Sequence, residues 1–193
     1  MSKSRLEAFS DGVIAIIITI TVLLIDLPEG DDWQALKAML PLVACYAVSF
    51  TIVGVNWVNH HHLFQIAENV SGRMLWANLL YLFVLSFIPV TTGWVGRSGF
   101  GVFPTRVYSM VNLSVAIAYI LLQKTIVVGH ENSRVREEFS ERGKEVWVIS
   151  MDLLALASTY ISKVHYVSII LLIVAIAPWI IPDLRSKRIM EDR

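Results

Sequence analysis

The first twenty-eight residues, MSKSRLEAFSDGVIAIIITITVLLIDLP (residues 1–28), decide how this chain is read. Arg5, Phe9, Ser10 and Asp11 form a polar head with one aromatic. An apolar run follows at once, from Gly12 to Ile25, interrupted only by Thr19 and Thr21, and Asp26 and Pro28 close it. Residues that can stay in water are fused here to a segment that must leave it.

The rest of the chain has the same character. Of its 193 residues, 55% are hydrophobic and only 17% charged, with a mean hydropathy of +0.62. A soluble domain carries about 25% charged residues. Several runs are long enough to cross a hydrocarbon core about 30 Å thick, which takes roughly 20 residues of helix. The alternating ten-residue pattern of a membrane barrel is absent. The fold class is therefore an all-α polytopic membrane protein. Cys45 is the only cysteine, so no internal disulfide forms. The first apolar run lacks a small-residue cleavage site and holds Asp11 at its mouth, which argues against a cleaved signal peptide.

Six apolar segments span about residues 6–27, 33–59, 75–95, 105–128, 146–162 and 166–181, in one 1–193 unit. Asp32 is placed to cap the second. Pro89 is expected to kink the third, and the Gly-rich GWVGRSGFG after it reads as a turn. Pro104 stands where a proline is tolerated, ahead of the fourth. The stretch Gly129 to Glu145 holds charge and could form a short surface helix, a tight turn falls near Lys163 and His165, and the tail from Asp183 is charged. With the N-terminus inside, twelve Lys and Arg lie on the cytoplasmic side and four outside. That asymmetry favours six crossings with both termini cytoplasmic.

On a wheel of 100° per residue, Ile16, Ile20, Leu23 and Leu27 fall within about 60° of one another. Phe9 and Gly12 extend this stripe and Thr19 sits at its edge. Asp11 points to roughly the opposite side. Aliphatic stripes ordinarily mean lipid contact or helix packing. Asp11 is different, because a carboxylate near a membrane helix is costly unless paired or wet. Arg5 and the inner end of the second segment, with Trp57, Asn59 and His60, lie at matching depth. A polar cluster of Arg5, Ser10, Asp11 and His60 is geometrically open, as is a solvated interface.

His60, His61 and His62 point about 100° apart on a helix, so they do not share one ion, and no metal is expected. Asp152 and Lys124 either pair or snorkel separately. Asn78, Ser86, Asn112 and Ser114 read as interhelical hydrogen-bonding groups. No phosphate loop, Ser–His–Asp set or paired-carboxylate site is present, so neither an enzyme nor a nucleic-acid partner has support.

The pattern R-x-x-x-F-S-D at Arg5, Phe9, Ser10 and Asp11 resembles the prokaryotic branch of the transmembrane protein 175 family, the lysosomal potassium channel family. The likeness extends to the apolar run ending in Leu-Pro, to NWVNHHHLFQ, and to the third segment (Asn78, Leu79, Leu80, Phe87, Ile88, Pro89). The resemblance implies a homotetramer of six-helix units whose first helix lines a central pore. It implies a constriction at Ile16, Ile20 and Leu23, with Thr19 and Leu27 adjacent. Arg5, Phe9, Ser10 and Asp11 would anchor that helix, with Trp57 and His60 as partners. Ala15 stands where some relatives have a hydroxyl, so no polar layer is expected there. Potassium ions would be the permeant species, moderately preferred over sodium, with no cofactor, in a cell inner (plasma) membrane. Asp26, Glu29, Asp31 and Asp32 would concentrate cations at the outer mouth. A cation- or proton-coupled transporter, with Asp152 as its intramembrane acid, and a non-conducting scaffold are the rival readings.

Overall fold

A computed structural model describes residues 2–28, 30–129, 136, 139, 142–161 and 166–180. Every regular element among them is helical: α1 (Lys3–Val22), α2 (Trp33–Ile66), α3 (Gly72–Leu85), α4 (Ile88–Arg97), α5 (Val102–Val128), α6 (Gly143–Ser158) and α7 (Val167–Ile180). Among the described residues, three spans are long and apolar enough to cross a membrane: α2, α3 with α4, and α5. The surface helix expected after Gly129 falls largely outside the described residues, and the turn at Lys163 and His165 and the charged tail fall wholly outside them.

The helix ends correct several expected boundaries. α1 stops at Val22 rather than near Leu27. Its last turn tightens through i→i+3 bonds, Leu23 N–H to Ile20 (3.0 Å) and Ile25 N–H to Val22 (3.1 Å). The β-branched run before it gives weak helical support, and Pro28 favours extended backbone at Leu27. Leu27 therefore lies off the helix, and its place on the wheel lapses. α2 runs seven residues past Asn59, so the three histidines are helical. At 34 residues it is about 51 Å long, more than a bilayer core requires. Its start is as expected: Asp32 accepts from the Ala35 N–H at 2.8 Å.

The third segment is two helices. The i→i−4 ladder holds through Ser86, whose N–H reaches Leu82 (3.0 Å), and breaks at Phe87, whose N–H turns to Val84 (3.2 Å), and Pro89 occupies the first turn of α4. Having no N–H, Pro89 cannot bond the Leu85 carbonyl four residues back. The Gly-rich turn is shorter than its composition suggests, since α4 continues to Arg97. It closes in a Schellman motif, Phe100 N–H to Val95 (3.0 Å) and Gly99 N–H to Gly96 (3.1 Å). Gly99 takes φ +58° there, which glycine tolerates.

α5 is the hub, touching α2, α3, α4, α6 and α7, while α1 packs on α2, α3 and α4. The core joins Ile14, Ile17, Val53, Phe64, Tyr81 and Leu122. Close approach uses small residues: a Cβ on Gly96 would sit 3.0 Å from the Leu42 Cα. Buried hydroxyls tie helices together. Ser49 meets Thr92 (2.6 Å) and Tyr108 (2.8 Å), joining α2, α4 and α5. Ser109 meets Ser168 (2.6 Å), joining α5 and α7.

Candidate functional site

α1 has two distinct faces. Leu6, Ser10, Ile14, Ile17 and Thr21, spaced at helical intervals, are buried against the rest of the chain. The opposite face is bare. Ile16 is 57% exposed, Ile20 44%, Leu23 78% and Leu27 88%. Phe9 is also exposed, as are Gly12, Ala15 and Thr19. Thr19 lies on this bare face with its hydroxyl turned back, donating to the Ala15 and Ile16 carbonyls at 3.0 Å.

A buried chain of hydrogen bonds holds the other face. His60 on α2 donates from Nε2 to Asn78 Oδ1 at 2.8 Å. Asn78 on α3 donates from Nδ2 to Ser10 Oγ at 2.9 Å. Ser10 donates to the Leu6 carbonyl at 2.9 Å. The direction is set from the far end: the Ser10 proton goes to a carbonyl, so Ser10 accepts from the amide, and the amide oxygen faces the imidazole. His60 is stacked between Phe64 and Tyr81, with centroids 4.2 Å and 5.5 Å away. Three helices are thus locked by one bonded series, with every member buried.

Asp11 makes a separate, more exposed contact. It accepts from the Trp57 indole N–H at 2.9 Å, and Trp57 stacks on His61. Lys3 adds a bond to the Gln65 carbonyl at 3.1 Å. The chain therefore brings Ser10 to His60 and Asp11 to Trp57. It does not gather Arg5, Ser10, Asp11 and His60 into one cluster. Arg5 and Phe9 lie exposed on the bare side of α1, because Arg5 falls on the stripe's own meridian.

At the other end of α1, Arg97 forms a clamp. Its Nε donates to Asp26 Oδ2 at 2.8 Å, and Nη2 donates to the Leu24 carbonyl at 3.2 Å. Asp26 is therefore neutralised by a partner and is not a free acid at the mouth. The Arg97 guanidinium holds its carboxyl below the usual range. Asp32 caps α2, and Glu29 lies outside the described residues.

Asn78 and Arg97 are the members that site reasoning on the sequence left out. Asn78 was legible as an interhelical donor, but which helix it served was not. Arg97 had a signal, a single base opposite an acidic turn. Lys124 and Asp152 do not pair: Lys124 is exposed in a groove with Arg73, while Asp152 is buried. No cluster of His, Cys, Asp or Glu able to hold a metal occurs among the described residues. His60 turns to Asn78, while His61 and His62 both meet the Gln65 amide and His61 stacks on Trp57.

The arrangement is a rigidly held helix that presents a bare aliphatic face. Known proteins resemble the chain in sequence and in fold. A family model described as endosomal/lysosomal potassium channel TMEM175 matches residues 5–89. A Chryseobacterium protein named potassium channel HX13_20290 is 42% identical over 193 residues, covering all of both chains. The rat protein named endosomal/lysosomal proton channel TMEM175 is 34% identical over 131 residues, 62% of this chain and 26% of its own. The crystal structure of a lysosomal potassium-selective channel TMEM175 homolog from Chamaesiphon minutus superposes with a TM-score of 0.78 at 26% identity, over 95% of this chain and 97% of that one. Similarity along the whole length, in sequence and in fold, makes this chain a multi-pass membrane protein of the TMEM175 channel family, on its prokaryotic branch.

Proposed function

We propose that the chain is the subunit of a homotetrameric potassium channel in a bacterial plasma membrane, with six crossings and both termini cytoplasmic. The observation that carries this reading is the bare face of α1, backed by a buried anchor. A lipid-facing helix needs no such anchor. A pore helix does, because a small rotation would swing its side chains out of the axis. Fourfold symmetry turns Ile16, Ile20 and Leu23 into stacked rings, with Thr19 beside them and Leu27 near the outer end. Arg5 and Phe9, exposed in one chain, face the neighbouring copy.

Aliphatic rings dewet a narrow pore and so close it without a plug. When the rings part, an ion passes with its hydration disturbed. Potassium holds water less tightly than sodium and loses less. No ring of carbonyl oxygens replaces the lost water, so selectivity is moderate. Asp31 and Asp32 are exposed and supply the attraction at the outer mouth, with Asp26 offset by Arg97. The chemistry needs no cofactor; potassium ions are the permeant species.

Reversal potentials on purified protein in bilayers, potassium against sodium, test this. Ile20→Asn should raise conductance and erode the potassium preference while the mass of the tetramer is unchanged. A pH gradient in the same bilayers measures protons, the ion in the rat relative's name, as the competing species. No current, but saturable flux in fixed stoichiometry, would overturn the channel reading in favour of a coupled transporter.

A further inference from the structure

Away from α1, a second polar site lies inside the helix bundle. α2, α5, α6 and α7 line a partly open cavity of about 50 Å³, with Asn59, Asn112, Asp152 and Trp179 among its walls. Asp152 is only 3% exposed, and no hydrogen bond or ion pair reaches its carboxylate among the described residues. An uncompensated carboxylate at this depth is strongly disfavoured, and such residues in membrane helices serve ions or protons.

Asparagine chemistry adds to the acid. Asn59 uses its amide nitrogen on the Val55 and Trp179 carbonyls, 2.8 Å and 2.9 Å away. Asn112 uses its own on the Tyr108 carbonyl at 2.9 Å. Asn59 thus has both N–H donors committed to backbone and Asn112 has one of its two, so the Asn59 oxygen is left for the cavity side and the Asn112 oxygen is open to it. Asn59 Oδ1 is fully buried with no partner, in a residue 3% exposed. One orphaned donor, Trp179 Nε1, lines the same space. The Asn56 oxygen is already occupied by Tyr81 at 3.2 Å. A carboxylate and two amides lining one cavity, one amide oxygen without a partner, is a set that lacks a cation. Lys144 does not line the cavity; its ammonium lies over the Trp179 ring, 5.4 Å from the centroid.

We infer that each subunit binds one small monovalent cation inside its own helix bundle, held by the Asp152 carboxylate and the Asn59 and Asn112 amide oxygens, separate from the path along α1. Trp179 Nε1 would donate to a water that completes the ion's shell. Hard oxygen ligands suit an alkali ion, and a cavity of about 50 Å³ admits one with a water or two.

The experiment is anomalous diffraction from crystals of the full chain grown in thallium(I), a potassium mimic. One peak per subunit is expected between Asp152, Asn59 and Asn112. In Asp152→Asn, which keeps the shape, that peak should fall at least tenfold while peaks on the α1 axis and single-channel conductance stay within twofold. The wild-type crystals alone decide if the variant fails to fold. No peak at saturating thallium, as for a protonated Asp152 holding only water, would overturn the inference. So would a peak that survives Asp152→Asn.

Discussion

Asn78 is the keystone of the α1 anchor, and replacing it is the sharpest test of that geometry. Asn78→Leu keeps the side-chain volume and removes two buried hydrogen bonds, to Ser10 (2.9 Å) and from His60 (2.8 Å). Intramembrane bonds average about 0.6 kcal/mol each, so the pair contributes about 1.2 kcal/mol. The His60 Nε2–H is then stranded in a buried site between two aromatic rings, which adds about 1–3 kcal/mol. Ser10 loses little, because its proton still reaches the Leu6 carbonyl. The expected loss is about 2–4 kcal/mol. Ser10→Ala strands one amide N–H of Asn78 instead and should cost about 1–2 kcal/mol. In the double variant the second change has nothing left to remove. The two losses should fall short of additivity by about 1 kcal/mol, beyond the 0.3–0.5 kcal/mol scatter of independent sites. Unfolding of the full chain by SDS titration in mixed micelles, followed by circular dichroism, measures all three variants. A loss under about 0.5 kcal/mol for Asn78→Leu, or strict additivity, would refute the bonded series.

Two further outcomes follow from the packing and the outer clamp. Gly96→Ala places a methyl against the Leu42 backbone and should destabilise the α2–α4 contact by about 1–3 kcal/mol in the same titration; a neutral result would mean that the helices separate freely. Arg97→Gln releases Asp26 as a free acid at the outer mouth. Conductance should rise at about 0.01 M potassium, where the Debye length is about 30 Å, and hardly at all at about 1 M, where it is about 3 Å. An equal change at both concentrations would point to altered pore shape instead of charge.

How far the primary structure alone reaches can be judged residue by residue. The membrane class follows from hydropathy, which is additive and local. Each of the six apolar segments carries a helix in the structure, because length and composition decide that. The stripe of Ile16, Ile20 and Leu23 was legible for the same reason: a 3.6-residue period maps side chains onto faces before any partner is known. So was the Asp32 cap, a contact within three residues.

The boundaries were less legible. α1 ended early, through turn-tightening and a downstream proline, and α2 overran, because its polar end lacks a breaker. Partnership was not legible at all. Ser10, His60 and Asn78 are 68 and 18 residues apart along the chain, and only the packing of α1, α2 and α3 brings them into one bonded series. Arg5, Ser10, Asp11 and His60 all have suitable chemistry for a single cluster. Helix rotation distributes them over different faces, and Arg5 goes with the bare side. Asp26 looked like a free mouth acid until Arg97, 71 residues away, closed on it. Asp152 and Lys124 line different spaces. The sequence by itself determined what must leave water and which face of each helix is apolar, since those are properties of a segment. The tertiary structure decided which polar groups satisfy one another, because a buried hydrogen bond needs two groups within about 3 Å, and their approach depends on every helix between them.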